Sequence, residues 1–394
     1  MRAMQWLDRV RLVGSDRPQQ VQLTNGKVTA IGTDLIPADG AEVLDFKGDY
    51  LSLGGVDLQI NGALGIPFPW LKTAEPLQKI SRYLWQQGID AYAPTLVTAP
   101  LGEIHTALRA IHEYTPNKEE PEAEIVGVHL EGPFLNPQKC GAHPPAHLQP
   151  LTLERVKAAL GEFRNSVKIL TLAPELDPKG DVLPSLRQWG ITVSVGHSMA
   201  TLEEAQAAFA AGATMVTHAF NAMPPLHHRE PGLLAAALTD GRVWCGVIGD
   251  GVHVHPQMLK LLWQCAGDRL FLVSDALAPL GLGDGIYPWD QRHIEVKNGT
   301  ARLEDGTLCG TTVPLLAMVG RLVDWGVCDF EAALALATLN PRRAMGLTTE
   351  LVGQPLSHLL RWRSPHHYER LINDLPATLL DHDCKNHQED IGNV

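Results

Sequence analysis

The sequence has no basic excess: 32 Lys and Arg stand against 44 Asp and Glu, for a formal charge of −12. Nucleic acids and anionic membranes are bound through a basic face that releases counterions, so neither is an expected partner. Paired cysteines are also missing. The six present, Cys140, Cys245, Cys265, Cys309, Cys328 and Cys384, are scattered with no C-x-x-C among them. That spacing excludes a disulfide scaffold and points to a reduced, cytoplasmic protein. No apolar run reaches the ~18–20 residues of a membrane span. Residues 1–10, with Arg2, Asp8 and Arg9, hold no apolar core of a secretory signal. Glycine-rich phosphate loops of the G-x-G-x-x-G or Walker type are absent too, which leaves a doubly wound nucleotide-binding sheet without support.

What is present is a globular composition, 45% hydrophobic and 19% charged over 394 residues. That is enough for a large core in two or three domains at most. Two Asn-Gly dipeptides, Asn25-Gly26 and Asn298-Gly299, sit between short apolar runs and predict type I′ hairpins. Between them, eight apolar runs appear in order, at residues 51–59, 91–96, 125–130, 168–172, 191–195, 214–217, 243–248 and 269–273. Most are continuous rather than alternating, as in parallel strands covered on both sides.

Helical patterns separate several of these runs. Leu77, Ile80 and Leu84 recur on one face before Gly88, and Thr201 with Glu204 forms a capping box before an Ala-rich helix ending at Gly212. Eight strands alternating with helices predict a (β/α)8 TIM barrel over residues 51–346, its last helix near residues 330–344. Residues 1–50 are expected to form part of a small β-domain. The Pro- and His-rich stretch 347–394 is expected to return to it, partly irregular.

Function in such a barrel collects at the C-terminal ends of the strands. Here those ends read Asp57–Asn61, His129–Gly132, Gly196–Ser198, His218–Met223, Asp250–His253 and Ser274–Ala276. Singly, each polar residue has a plain structural role: Glu131 a turn, His197 a cap, His218 a core imidazole, Asp275 an Asx-turn. Jointly, on strands three, five, six and eight of one barrel, they point to chemistry. Glu131, His197 and His218 are the His2Glu set of a catalytic metal site, in which the metal lowers the pKa of a bound water. Asp275, on a fourth strand, suits a general base and acid. His143, twelve residues past Glu131, can reach over the mouth to polarise a carbonyl. The class is metal-assisted hydrolysis of an amide or ester.

The ordered motifs HLEGP (129–133) with its distant histidine, GHS (196–198), THAFNAMPP (217–225) with REPG (229–232), DGVHV (250–254) and SDA (274–276) resemble the N-acetylglucosamine-6-phosphate deacetylases of the amidohydrolase superfamily. The resemblance spans roughly residues 50–345. It implies a barrel with a small β-sandwich built from both chain ends, one divalent metal ion per chain (zinc, iron or another), and a homodimer. It also implies that Glu131, His197 and His218 bind the metal and that Asp275 carries the proton. Ala142 and His143 would contact substrate, with Asn221, Ala222, Arg229, Asp250, His253, Leu308, Cys309 and Gly310 holding a sugar phosphate. Removal of the acetyl group from N-acetylglucosamine 6-phosphate is the implied reaction. Another N-acetyl amino-sugar phosphate, a different amidohydrolase substrate and a non-catalytic barrel are the alternatives.

Two departures stand out. The first strand ends Gln59-Ile60-Asn61 where many amidohydrolases carry H-x-H, so a single metal is expected and Gln59 becomes a substrate or water contact. After Gly346 the family's closing glycine-rich pattern is only faintly echoed, which predicts an incomplete β-domain and leaves the oligomeric state open.

Overall fold

The computed structural model describes residues 5–37, 40–117 and 120–371, and the backbone of 381–383. Its centre is a parallel barrel. The strands run Gly55–Ile60, Ile89–Val97, Val128–Glu131, Val167–Leu172, Thr192–Val195, Met215–Val216, Trp244–Ile248 and Leu270–Val273, hydrogen-bonded in that order. The seam between first and eighth strands closes beyond their ends, where Asp275 N–H donates to Gln59 O at 2.9 Å and Asn61 N–H to Ala276 O at 2.7 Å. One continuous core cluster fills the barrel and the layer between strands and helices, including Leu58, Leu130, Leu170, Val193, Val247 and Leu272, each at most 2% exposed.

The helices begin and end where their caps dictate. Glu75–Gln86 buries Leu77, Ile80 and Leu84, and is followed by Gly88 at φ +79°. Leu202–Ala211 carries the full Thr201/Glu204 capping box and stops at Gly212 in the left-handed region. The single last helix expected over 330–344 is two, Phe330–Ala337 and Leu339–Met345, broken at Thr338. Pro341 explains the break, because its ring would collide with the carbonyl four residues earlier.

Two sheets flank the barrel, the first mixed and the second antiparallel. Asn25 and Gly26 both have positive φ between Gln19–Thr24 and Lys27–Gly32, in a sheet that also contains Gln5–Val10 and Glu42–Asp45. A second sheet orders residues 381–383, 367–370, 359–364 and 50–53. Leu7, Val21, Leu23, Phe46, Leu51, Leu53, Leu356, Leu359 and Leu371 form one buried cluster shared by the two sheets. The tail's weak sequence pattern has a physical reason: Trp362 and Tyr368 face the barrel core rather than this cluster. Its strands therefore bury both faces and show little alternation.

After the eighth barrel strand the chain makes a four-stranded excursion, Gly285–Trp289, Arg292–Lys297, Thr300–Leu303 and Leu308–Thr311. Asn298 and Gly299 turn its central hairpin at φ +51° and +78°. Trp289, at its tip, meets Trp70 edge-on at 5.0 Å. Both tryptophans stand in the wall of a cavity at the mouth of the barrel.

Candidate active site

That cavity has a volume of about 1040 Å³, and its wall includes Glu131, His143, His197, His218, His253 and Asp275. Alternation along the third strand puts His129 and Glu131 on its inward face. The other three central groups are aimed by their backbones. His197, His218 and Asp275 each lie just past a strand end with φ of +49°, +30° and +45°. Non-glycine residues seldom adopt this region and lose about 1–2 kcal/mol there. The bend turns each side chain toward the barrel axis.

Three donor atoms then converge. Glu131 Oε1 stands 3.1 Å from His197 Nε2 and 3.1 Å from His218 Nε2, and the two ring nitrogens are 3.0 Å apart. His197 Nδ1 donates to Lys139 O at 2.8 Å, so in the neutral ring Nε2 bears a lone pair rather than a proton. A lone pair facing a carboxylate oxygen is repulsive unless a cation stands between them. Two imidazole nitrogens and one carboxylate oxygen this close together would hold a single divalent ion, the donor set of a catalytic zinc site. The residues therefore fit a divalent metal, and the backbone carbonyl behind His197 is the support such ligands usually have. Burial pushes the Glu131 carboxyl up, but the two imidazoles outweigh it and hold it well below the usual range.

His143 brings a ring nitrogen within 4.8 Å of the Glu131 and His197 donors, with its ring edge-on to His197 at 4.6 Å. It is nonetheless an unsuitable member of the ligand set. Its Nδ1 accepts from Thr98 N–H at 3.2 Å and contacts Thr98 Oγ1 at 2.9 Å, which places the ring proton on Nε2. Burial, then the neighbouring His197, pushes its pKa down to about 3. His143 is thus a neutral N–H donor facing the cavity. Asp275 has the opposite tendency: burial, then the Glu131 charge, pushes it up to about 6.

The remaining predicted contacts divide. Ala142, Asn221, Ala222, His253, Leu308 and Cys309 line the cavity. Gln59, Arg229, Asp250 and Gly310 are not part of its wall. Gln59 is buried behind the site, its Nε2 donating to Glu131 Oε1 at 3.1 Å and Asp275 Oδ1 at 3.3 Å. Asp250 is 2% exposed and accepts from His253 Nδ1 at 2.7 Å, so it orients that ring. Gly310 lies at φ +149°, and a Cβ there would come within 2.5 Å of the Asp275 carbonyl oxygen. Arg229 is exposed, its Nη1 2.6 Å from His228 Nε2.

Sequence reasoning passed over several residues. Thr98 selects the His143 tautomer, and only the fold brings it near. Arg292 Nη2 donates to Ala142 O at 2.8 Å from the hairpin excursion. Below Glu131, His129 Nδ1 donates to Leu58 O at 2.9 Å, so its Nε2 accepts from Thr171 Oγ1 at 2.7 Å. Thr217 Oγ1, 2.7 Å from Thr171 Oγ1, then continues the chain to Ser194 Oγ at 2.6 Å. The His129 position beside Glu131 was visible; its role beneath the site was not.

No family model matches the chain, but individual proteins do. It is 34% identical over 329 residues to the N-acetylgalactosamine-6-phosphate deacetylase of Escherichia coli O157:H7, covering 83% of this chain and 85% of that one. It is 37% identical over 316 residues to the N-acetylglucosamine-6-phosphate deacetylase of Bos taurus, with 78% and 77% covered. The chain belongs to the N-acetylglucosamine-6-phosphate deacetylase family. Solved members of the family superpose along nearly its whole length. A mutant of the Mycobacterium smegmatis enzyme in complex with N-acetyl-D-glucosamine-6-phosphate matches at TM-score 0.82 and 28% identity, over 93% of this chain and 98% of that one. The Pasteurella multocida enzyme matches at 0.81 and 26%, over 93% and 97%.

Proposed function

We propose that the protein hydrolyses the acetamido group of N-acetylglucosamine 6-phosphate to glucosamine 6-phosphate and acetate. The observation that carries this reading is the convergence of Glu131, His197 and His218 beside Asp275 and a neutral His143 in one cavity. The three convergent residues would hold one divalent ion, zinc in our reading, which when bound acidifies water and polarises the acyl oxygen. His143 Nε2–H donates to the acyl oxygen as negative charge grows there. Asp275 takes a proton from the attacking water and returns it to the amide nitrogen as the C–N bond breaks. Gln59 bridges the two carboxylates through its NH2 group, a supporting rather than a substrate-contacting place.

His253, oriented by Asp250, and Asn221–Ala222 are our candidates for the sugar phosphate, with Leu308 and Cys309 also in the cavity wall and Gly310 behind it. Arg229 lies outside the cavity of its own chain; a homodimer, in which it would reach the site of a second copy, is our reading. The five described cysteines are free and no described helix is long and apolar enough to cross a membrane, which accords with a cytoplasmic enzyme.

The Escherichia coli O157:H7 relative favours a second reading, in which N-acetylgalactosamine 6-phosphate is the preferred substrate. Turnover of both 6-phosphates and of unphosphorylated N-acetylglucosamine decides between them. We expect kcat/KM to be highest for the gluco-configured phosphate and to fall sharply without the phosphate. Equal rates with and without phosphate would overturn the assignment. Metal analysis of protein purified without chelator should find about one ion per chain.

A further inference from the structure

The two carboxylate oxygens of Asp275 have different surroundings. Oδ1 accepts from Asn61 Nδ2 at 2.8 Å and from Gln59 Nε2 at 3.3 Å. Among the described residues no hydrogen bond reaches Oδ2. Asn61 is itself rigidly held: its N–H donates to Ala276 O at 2.7 Å and its carbonyl accepts from Phe68 N–H at 2.8 Å. The first-strand end is therefore tied to the residue directly after Asp275, and the side-chain contact repeats that tie.

A carboxylate only accepts, so Asn61 must turn its NH2 toward Asp275, and this determines where the other end of the amide lies. Asn61 Oδ1 is buried with no hydrogen-bond partner among the described residues, in a residue only 1% exposed. A buried carbonyl without a donor is unfavourable, and an apolar side chain of similar size would avoid it. Unsatisfied groups of this kind concentrate where function overrides stability. Gln59 serves two masters, since its Nε2 also donates to Glu131. The side-chain hydrogen bond of Asn61 serves Asp275 alone.

We propose that Asn61 is the positioning residue for the proton carrier: its amide pins Oδ1 and leaves Oδ2 as the atom that handles the proton. This rests on the proton-transfer role assigned to Asp275 above. As the water oxygen bonds to the acyl carbon, the water's O–H bond breaks and its proton passes to Oδ2. The same proton moves to the amide nitrogen as the C–N bond breaks, releasing amine and acetate. Without the pin the carboxylate turns about its Cβ–Cγ bond, and either oxygen can face the water at the wrong angle.

The test is Asn61→Leu, which keeps the branched shape and removes donor and unpaired carbonyl together, with isosteric Asn61→Asp as the second variant. For Asn61→Leu we expect kcat to fall about 10²-fold, the loss associated with a misplacement of ~1 Å at a reacting group. KM should stay close to wild type, because the interaction is spent on the chemical step rather than on binding. Metal content should remain one ion per chain, and the thermal midpoint should hold or rise. A crystal structure of the variant should show the Asp275 carboxylate rotated. Asn61→Asp, which replaces the donor by an acceptor, should lose at least as much kcat. Wild-type kcat in either variant, a kcat loss accompanied by loss of metal or of folding, or an unmoved Asp275 would overturn the role. A wild-type protein inactive on every N-acetyl hexosamine phosphate would instead overturn the functional reading, while the Asp275 rotamer in Asn61→Leu would still decide the positioning role.

Discussion

Asp275 and His143 occupy one cavity and have opposite proton affinities for reasons that can be read atom by atom. The Asp275 carboxyl is raised to about 6 by burial and by the nearby Glu131 charge. The His143 ring is lowered to about 3 by burial and by His197. Pairs of titratable groups pushed apart in this way mark acid and base assignments. Asp275→Asn should lower kcat by about 10²–10⁴-fold while the metal stays bound, because Asp275 is not among the three convergent ligands; metal analysis alongside steady-state kinetics checks both halves. His143→Ala should lower kcat by about 10²–10³-fold, as expected for loss of one oxyanion donor. If His143 were instead a ligand, the same substitution would cost metal, so the ion-to-chain ratio separates the roles.

At the level of elements, the seam between first and eighth strands borders the cavity and also holds a buried acid. Asp57 accepts from Ser274 N–H at 3.1 Å and from Gln59 N–H at 3.3 Å. Burial nevertheless raises its pKa to about 7. An unfolded aspartate titrates near ~3.9, so between about pH 4 and pH 7 the folded state binds the extra proton. Stability should therefore fall as pH rises across that window and level off above it. Asp57→Asn should remove this slope and make the protein more stable at pH 8, by on the order of a few kcal/mol. Denaturation midpoints at pH 5 and pH 8 for both proteins provide the measurement; parallel curves would show that Asp57 is already ionised in the fold.

The whole molecule is joined at the base of the barrel, opposite the chemistry. Asp90, 7% exposed on the second strand, accepts from Gly54 N–H at 2.7 Å, from Arg342 at 2.9 Å and from Arg370 at 2.8 Å. Arg342 belongs to the last helix and Arg370 to the returning tail. Arg370 also lies over the Trp85 ring at 4.7 Å. One carboxylate thus ties the barrel, its final helix and the tail strands together. Asp90→Ala would leave two buried guanidinium groups without their counter-charge and should cost about 3–5 kcal/mol, seen as a lower midpoint in a denaturant titration. Its kcat per folded molecule should change little, because the lock lies at the end of the strands away from the cavity.

Much of this was legible in the chain because it depends on neighbours in sequence. Continuous apolar runs, the capping box at Thr201, the two Asn-Gly turns and the polar residues ending six of the eight strands are local signals, and a barrel follows from their count and order. The convergence of Glu131, His197 and His218 was an inference from that topology, since strand ends of one barrel must face a common mouth. Other features depended on long-range placement. The choice of His143 tautomer by Thr98, the clamp of Arg292 on Ala142, the displacement of Gln59 behind the site and the hold of Asn61 on Asp275 all join residues at least 45 positions apart. No periodicity announces such pairs. A hydrogen bond is directional and short, so its partners are determined only when every strand has its register and every side chain its rotamer.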